Sequence, residues 1–338
     1  MTTMSDVARA AGVSVMTVSN VVNGRPRVGA ETRLRVLDVI AELGYEVNLN
    51  ARRLRAGRTD TVALIVPGFE HMYFADLAAR VSRALEETGR HLVVERGGAS
   101  REGELAALSH ARLRMYDGVL LSVVGLERSD IERLRATTPI VLLGERDLPE
   151  RYDHVAMGNV EGARLATAHM LATGSRSVVI LGGTTQTADG GGGMAPTRTL
   201  GWRAAHDELG LSADPRLVVE LAHPGTAEAR RAVSDLAASG LDFDGVFAVT
   251  DAVAVGALAG LADAGLGVPD DVQVVGFDNL ALSEFLVPAL TTVDPGHDVM
   301  VQEALRLLDR RIAADGGPVA AERVVGPVRL VHRGTTRR

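Results

Sequence analysis

Residues 5–24 read SDVARAAGVSVMTVSNVVNG, with apolar residues at helical spacing on both sides of a glycine. Thr3 and Asp6 stand in capping-box relation, so the pattern predicts a helix from Met4 to Ala11 that Gly12 ends in the left-handed conformation. Ser14 then caps a second helix from Val15 to about Val22, and Gly12-Val13-Ser14 is the short link of a helix-turn-helix. Val7, Ala8 and Ala11 share one face of the first helix, Val18, Val21 and Val22 one face of the second, and Val13 can pack between them. A third helix is expected from about Ala30 to Leu43, with Leu34, Leu37, Ile40 and Leu43 at three-residue spacing and Gly44 as its stop.

A three-helix bundle of this size could be purely structural. Against that, the outer face of the second helix carries Met16, Thr17, Ser19, Asn20 and Asn23, side chains short enough to approach base edges and phosphates, with Arg25 and Arg27 just beyond. Charge points the same way. Residues 1–58 hold nine arginines against five acids, a net of +4, which leaves −11 for the remainder of a chain whose total is −7. A basic head on an acidic body predicts that only the head meets a polyanion.

All 36 basic residues are arginine, because the chain has neither lysine nor cysteine. That excludes a GxxxxGK[ST] phosphate loop, a Schiff-base site, a thiol nucleophile, a thiolate metal site and a disulfide. No window approaches the roughly 18 uninterrupted apolar residues of a membrane span, and the first residues lack the pattern of a signal peptide. The chain is therefore expected to stay in the cytoplasm, with no membrane partner.

From Thr61 onward apolar runs alternate with amphipathic stretches. Strands are expected at 61–67, 91–95, 118–124, 139–143, 177–181, 217–221, 245–249 and 272–276, with helices between nearly all of them, for example 74–88, 160–172 and 251–264. This is the pattern of parallel sheets covered on both faces. Nine or ten strands suit two sheets with a cleft between them better than one sheet, and ligands of such sheets bind at the carboxyl ends of the strands.

SDVARAAGVSVMTVSNVVNG, then ETRLRVLDVIAELGYEVNLNARRLRAGRTDTVALIVP, then GFDN and PALTTVDP, resemble the LacI/GalR family of bacterial transcription regulators over essentially the whole chain. The resemblance implies an α/β chain with a helix-turn-helix head (residues 1–46), a hinge helix (47–58) and a two-lobed, periplasmic-binding-protein-like effector and dimerisation domain (59–338) with two parallel sheets. Its first lobe would span about 59–160 and 292–322, and its second about 161–291 and 323–338. In the head, Ser14, Val15, Met16, Thr17, Ser19, Asn20 and Asn23 would face double-stranded operator DNA, with Asn20 suited to adenine and Val15 and Met16 to thymine methyls. In NLNARRLRAG (48–57), the resemblance makes Leu54 a minor-groove wedge that bends the duplex, capped by Asn48 and flanked by phosphate-binding Arg52, Arg53 and Arg55. Val47 stands where the family commonly has proline.

In the body the resemblance places Arg198, Asp251 and Asp278 at the effector, where an arginine and carboxylates suit the vicinal hydroxyls of a sugar. Tyr73 and Phe74 would add stacking surface. Gly158 replaces the acid that often precedes Asn159, and GGTTQTADGGGGMAPTRT is a glycine-rich candidate flap over the cleft. The expected protein is a repressor that binds a palindromic operator as a homodimer, or as a tetramer, under control of a small-molecule effector, a sugar, with no cofactor or metal. The competing reading is the same architecture answering to a nucleobase or a phosphorylated metabolite as corepressor. An enzyme on this fold would need a nucleophile, metal cluster or phosphate loop, and neither GxSxG nor HExxH is present.

Overall fold

The computed structural model describes residues 2–22, 24–45, 58–146, 148, 150–186 and 192–338. They fall into a head, Met1–Thr59, and a body, Asp60–Arg338.

In the head, α1 (Met4–Ala11) opens on the Thr3–Asp6 capping box and closes on Gly12 at φ 65°. Ser14 Oγ accepts from Thr17 N at 3.1 Å at the start of α2 (Val15–Val22), and α3 (Ala30–Glu42) is followed by Gly44 at φ 56°. Val7, Ala8, Ala11, Val18, Val21 and Val36 form the core, with Val13, Val22, Val39 and Ile40 against it. The leucine stripe on α3 is not the buried face: Leu34 is 62% exposed, and Leu37 and Leu43 are also exposed. Strict three-residue spacing slips by about 60° per step on a 3.6-residue helix, so the stripe winds off the side that Val36, Val39 and Ile40 hold at i, i+3 and i+4.

Among its described residues the body has two six-stranded sheets. The first runs β11-β5-β4-β3-β1-β2, from β1 (Thr61–Val66), β2 (His91–Arg96), β3 (Gly118–Ser122), β4 (Ile140–Leu143), β5 (Asp153–Ala156) and β11 (Arg323–Val325). The second runs β12-β10-β9-β8-β6-β7, from β6 (Val178–Leu181), β7 (Val218–Val219), β8 (Gly245–Ala248), β9 (Gln273–Phe277), β10 (Thr291–Asp294) and β12 (Arg329–Val331). Among the described residues, all pairings between these strands are parallel except β10 with β12.

The intervening helices are α4 (Met72–Glu86), α5 (Arg101–Ala107), α6 (His110–Leu113), α7 (Arg128–Arg133), α8 (Asn159–Ala172), α9 (Met194–Glu208), α10 (Thr226–Ala238), α11 (Asp251–Asp263) and α12 (His297–Ala313). Strand β1 shows why its sequence is apolar at every position: Val62, Leu64 and Val66 belong to the core cluster of Leu77, Val81 and Leu85, while Ala63 and Ile65 belong to that of Ala107, Leu113 and Ile131.

The chain crosses between lobes three times, and pairing moves two of the expected boundaries. Strand β10 joins β9 in the second sheet, so the second crossing follows Asp294 rather than preceding residue 292. Strand β11 joins β5 in the first sheet, so the third crossing lies at 326–328 rather than before 323. The crossings pack against one another through glycines. A Cβ on Gly296, at φ 72°, would lie 2.7 Å from Pro327 O, and one on Gly158 would lie 2.8 Å from Val328 Cγ1. Side chains there would force the crossings apart.

Candidate functional site

On the head, the turn and α2 present a continuous outer face. Met16 is 67% exposed, Val15 and Ser14 are exposed, and Thr17, Ser19 and Asn20 are half-buried. Ser14 Oγ and Thr17 Oγ1 share a hydrogen bond of 2.9 Å, which fixes both hydroxyls at the start of the helix. Beyond its end, Arg25 N donates to Asn20 O at 2.9 Å and Arg33 Nη2 to Arg25 O at 2.8 Å, so the segment leaving α2 is tied back to α3. Asn23 and the hinge residues Asn48, Arg52, Arg53, Leu54 and Arg55 lie outside the described residues.

In the body, the expected cleft residues collect where strands end and helices begin. Tyr73 and Phe74 lie in the first turn of α4, Arg198 on α9, Asp251 at the start of α11 and Asp278 directly after β9. Arg198 is 2% exposed and is held on every side. Its Nε donates to Asn159 Oδ1 at 2.7 Å, Nη1 to Val249 O and Nη2 to Met157 Sδ at 3.6 Å, and its guanidinium lies 3.4 Å over the Phe277 ring. Asp278 Oδ1 is 3.9 Å from Arg198 Nη2. Burial pulls the Arg198 guanidinium below its ordinary value and pushes the Asp278 carboxyl well above its own, with each partner opposing the other's shift. Asp278 adopts φ 118° and Asn279 φ 50°, and His297 Nε2 lies 2.7 Å from Asp278 O.

Asp251 has three hydrogen-bond donors within the protein. Oδ2 accepts from Leu280 N at 2.8 Å and Ser283 Oγ at 2.6 Å, and Oδ1 accepts from Thr292 Oγ1 at 2.5 Å. Both oxygens are engaged inside the protein, so Asp251 clamps the segment that carries Asp278. Burial pushes its carboxyl up to about 6. Phe74 packs edge-on to Tyr73 at 4.9 Å and against the core, which leaves the Tyr73 hydroxyl as the polar contribution of α4.

Sequence reasoning missed Glu145, Met157, Phe277 and His297. Glu145 follows β4, and burial pushes its carboxyl up to about 7, opposed by Arg198, Met157 N and the Asn159 side chain. Its charge and that of Asp278 join burial in pushing the Tyr73 phenol up. The one available signal was a glutamate immediately after an apolar run, in LLGER. Of the glycine-rich candidate flap, residues 187–191 lie outside the described residues; Gly192 forms an antiparallel bridge with Arg146, next to Glu145. A groove of about 580 Å³ beside the second and third crossings is lined by Arg80, Asn279, Asp294, His297 and Arg329 among others, and the same His297 lies 2.7 Å through Nε2 from Asp278 O.

Known proteins share both halves. Residues 3–48 match bacterial regulatory proteins of the lacI family, and residues 167–336 match the periplasmic binding protein-like domain. The ribose operon repressor of Halalkalibacterium halodurans is 33% identical over 339 residues, covering 100% of this chain and 98% of that one. The regulator CelR of Thermobifida fusca is 34% identical over 348 residues, covering 97% and 95%. A solved structure of a CelR–cellobiose complex superposes with a TM-score of 0.70 at 31% identity, covering 99% of this chain and 100% of that one. With a helix-turn-helix head, a two-sheet body and full-length relatives that are transcriptional regulators and not enzymes, the chain belongs to the LacI family of DNA-binding transcriptional regulators.

Proposed function

We propose that this regulator is a repressor that binds a palindromic operator as a homodimer and is controlled by a sugar held between its lobes. The observation that carries the effector half is the buried Arg198–Asp278 pair at the strand ends. An ion pair removed from water, with Tyr73 and Glu145 beside it, is costly as scaffolding and useful as a recognition site. Relatives named as a ribose operon repressor and as a CelR–cellobiose complex support a sugar as the ligand class.

The DNA half rests on Ser14, Val15, Met16, Thr17, Ser19, Asn20 and Asn23 as the major-groove face, with Val15 and Met16 against thymine methyls. Exposed Val15 and Met16 gain from apolar partners that the head itself does not supply. The hinge residues Asn48, Arg52, Arg53, Leu54 and Arg55 form the proposed minor-groove contact. Homodimerisation is supported by Leu282, Phe285 and Val287, which are exposed along one short segment of the second lobe, Val287 at 98%. The operator places the protein's work in the cytoplasm, and no helix among the described residues is long and apolar enough to cross a membrane.

Footprinting combined with light scattering tests this reading. A dimer protecting two half-sites with centres about 34–36 Å apart supports it. A monomer on one half-site, or Phe285→Arg leaving the dimer intact, counts against the proposed assembly.

A further inference from the structure

The chain has no cysteine, so its nine methionines are the sulfur groups open to oxidation by peroxides. Their settings differ. Met157, Met170 and Met300 are buried in the body, Met4 packs against the core of the head, and Met194 packs against that of the body. Met72 and Met115 are exposed on the body. Met16, in the first turn of α2, is 67% exposed, more than any other large apolar side chain among the described residues of the head. Helix geometry accounts for this. Val18 and Val21 hold the buried face of α2, and Met16, two residues before Val18, lies roughly 200° round the helix from it. The Ser14–Thr17 hydroxyl pair fixes the turn from which the thioether leaves.

A peroxide transfers one oxygen atom to a thioether. The peroxide O–O bond breaks and an S–O bond forms; the sulfur is oxidised by two electrons and hydrogen peroxide is reduced to water. The product is a polar, chiral side chain in place of a flexible apolar one. Placed against thymine methyls, the sulfoxide oxygen gives up its water and meets no donor there.

We propose that Met16 is an oxidation site through which peroxide releases this regulator from its operator, and that release is reversible because a methionine sulfoxide reductase restores the thioether. The proposal rests on the reading of α2 as the major-groove face. On DNA the thioether is covered and off DNA it is open, so peroxide withdraws free heads from the binding equilibrium, and they return only after reduction.

Peptide mass spectrometry and DNA titration of the full chain test this, with a duplex selected by the untreated protein from a random-sequence pool. Under hydrogen peroxide, affinity for that duplex should fall about tenfold or more in step with sulfoxide at Met16, and the reductase should restore both. Saturating duplex should slow oxidation at Met16 and leave Met115 unaffected. Each variant is compared with its own untreated form: Met115→Leu should lose affinity as the wild type does, and Met16→Leu should lose none. Complete oxidation at Met16 with unchanged affinity overturns the proposal and leaves the DNA-face reading standing. An equal loss in Met16→Leu also overturns it. If Met16 oxidises as fast in the complex as in the free protein, the DNA-face reading falls and the proposal with it. The wild-type oxidation, protection and reductase comparisons decide the matter even where a variant does not bind DNA.

Discussion

Removing the Asp251 carboxyl should loosen the effector site without removing a ligand contact. Asp251→Ala orphans three buried donors, Leu280 N, Ser283 Oγ and Thr292 Oγ1, at 2.5 to 2.8 Å in the native protein. An unsatisfied buried donor costs about 1–3 kcal/mol, and the gross loss falls to roughly 3–5 kcal/mol once the two hydroxyls rotate and water enters. Against this stands the cost of the buried charge. The folded-state value of about 6 lies above the ordinary 3.8, so the stabilisation Asp251 provides is complete below the unfolded value and declines as pH rises through about 6. Roughly two pKa units correspond to about 3 kcal/mol, about half of it gained or lost between pH 5 and pH 8. The net cost of Asp251→Ala is therefore about 1 kcal/mol at pH 8 and about 1.5 kcal/mol more at pH 5. Urea unfolding can be followed through Trp202, the one tryptophan of the sequence, which is fully buried on α9. A cost below about 0.5 kcal/mol at both pH values, or one that grows toward pH 8, refutes the clamp.

Two further outcomes follow from other parts of the molecule. Leu54→Ala should lower operator affinity and duplex bending while nonspecific affinity, carried by Arg52, Arg53 and Arg55, changes little; unchanged bending in a circular-permutation gel assay would contradict the wedge. Gly296→Ala places a Cβ 2.7 Å from Pro327 O at a left-handed φ of 72°, so it should destabilise the body by at least about 2 kcal/mol and blunt the effector response, read by thermal melting and operator titration.

The head was legible because its signals are local. The Thr3–Asp6 box, Gly12 and Ser14 each act within a few residues, and all three took the expected places. The strands of the two sheets were legible where burial on both faces leaves an unbroken apolar run, as in TVALIV and GVLLS. Strands β5, β10, β11 and β12 were not, because DHVA, TTVD, RVV and RLV are too short for a pattern and carry charge or imidazole. The lobe boundaries depend on which sheet β10 and β11 pair with, and no local pattern records that choice. The burial of Glu145, which pushes its carboxyl up, stayed hidden for the same reason: in sequence it is a polar residue after a strand. The three donors of Asp251 were not legible either, since they come from a distant segment.

The central claim, that a ligand at Arg198 and Asp278 controls DNA binding at the head, is tested most directly by operator binding with and without sugar. Fluorescence anisotropy would follow labelled operator against the wild type and Asp278→Ala, each titrated with ribose and with cellobiose. A ligand shifts the DNA-binding equilibrium only by its difference in affinity between the two lobe arrangements. Wild type should therefore change its operator affinity in one of these sugars, while Asp278→Ala should bind the sugar-free operator like wild type and ignore the sugar. An Asp278→Ala protein that responds at wild-type sugar concentrations would contradict the account.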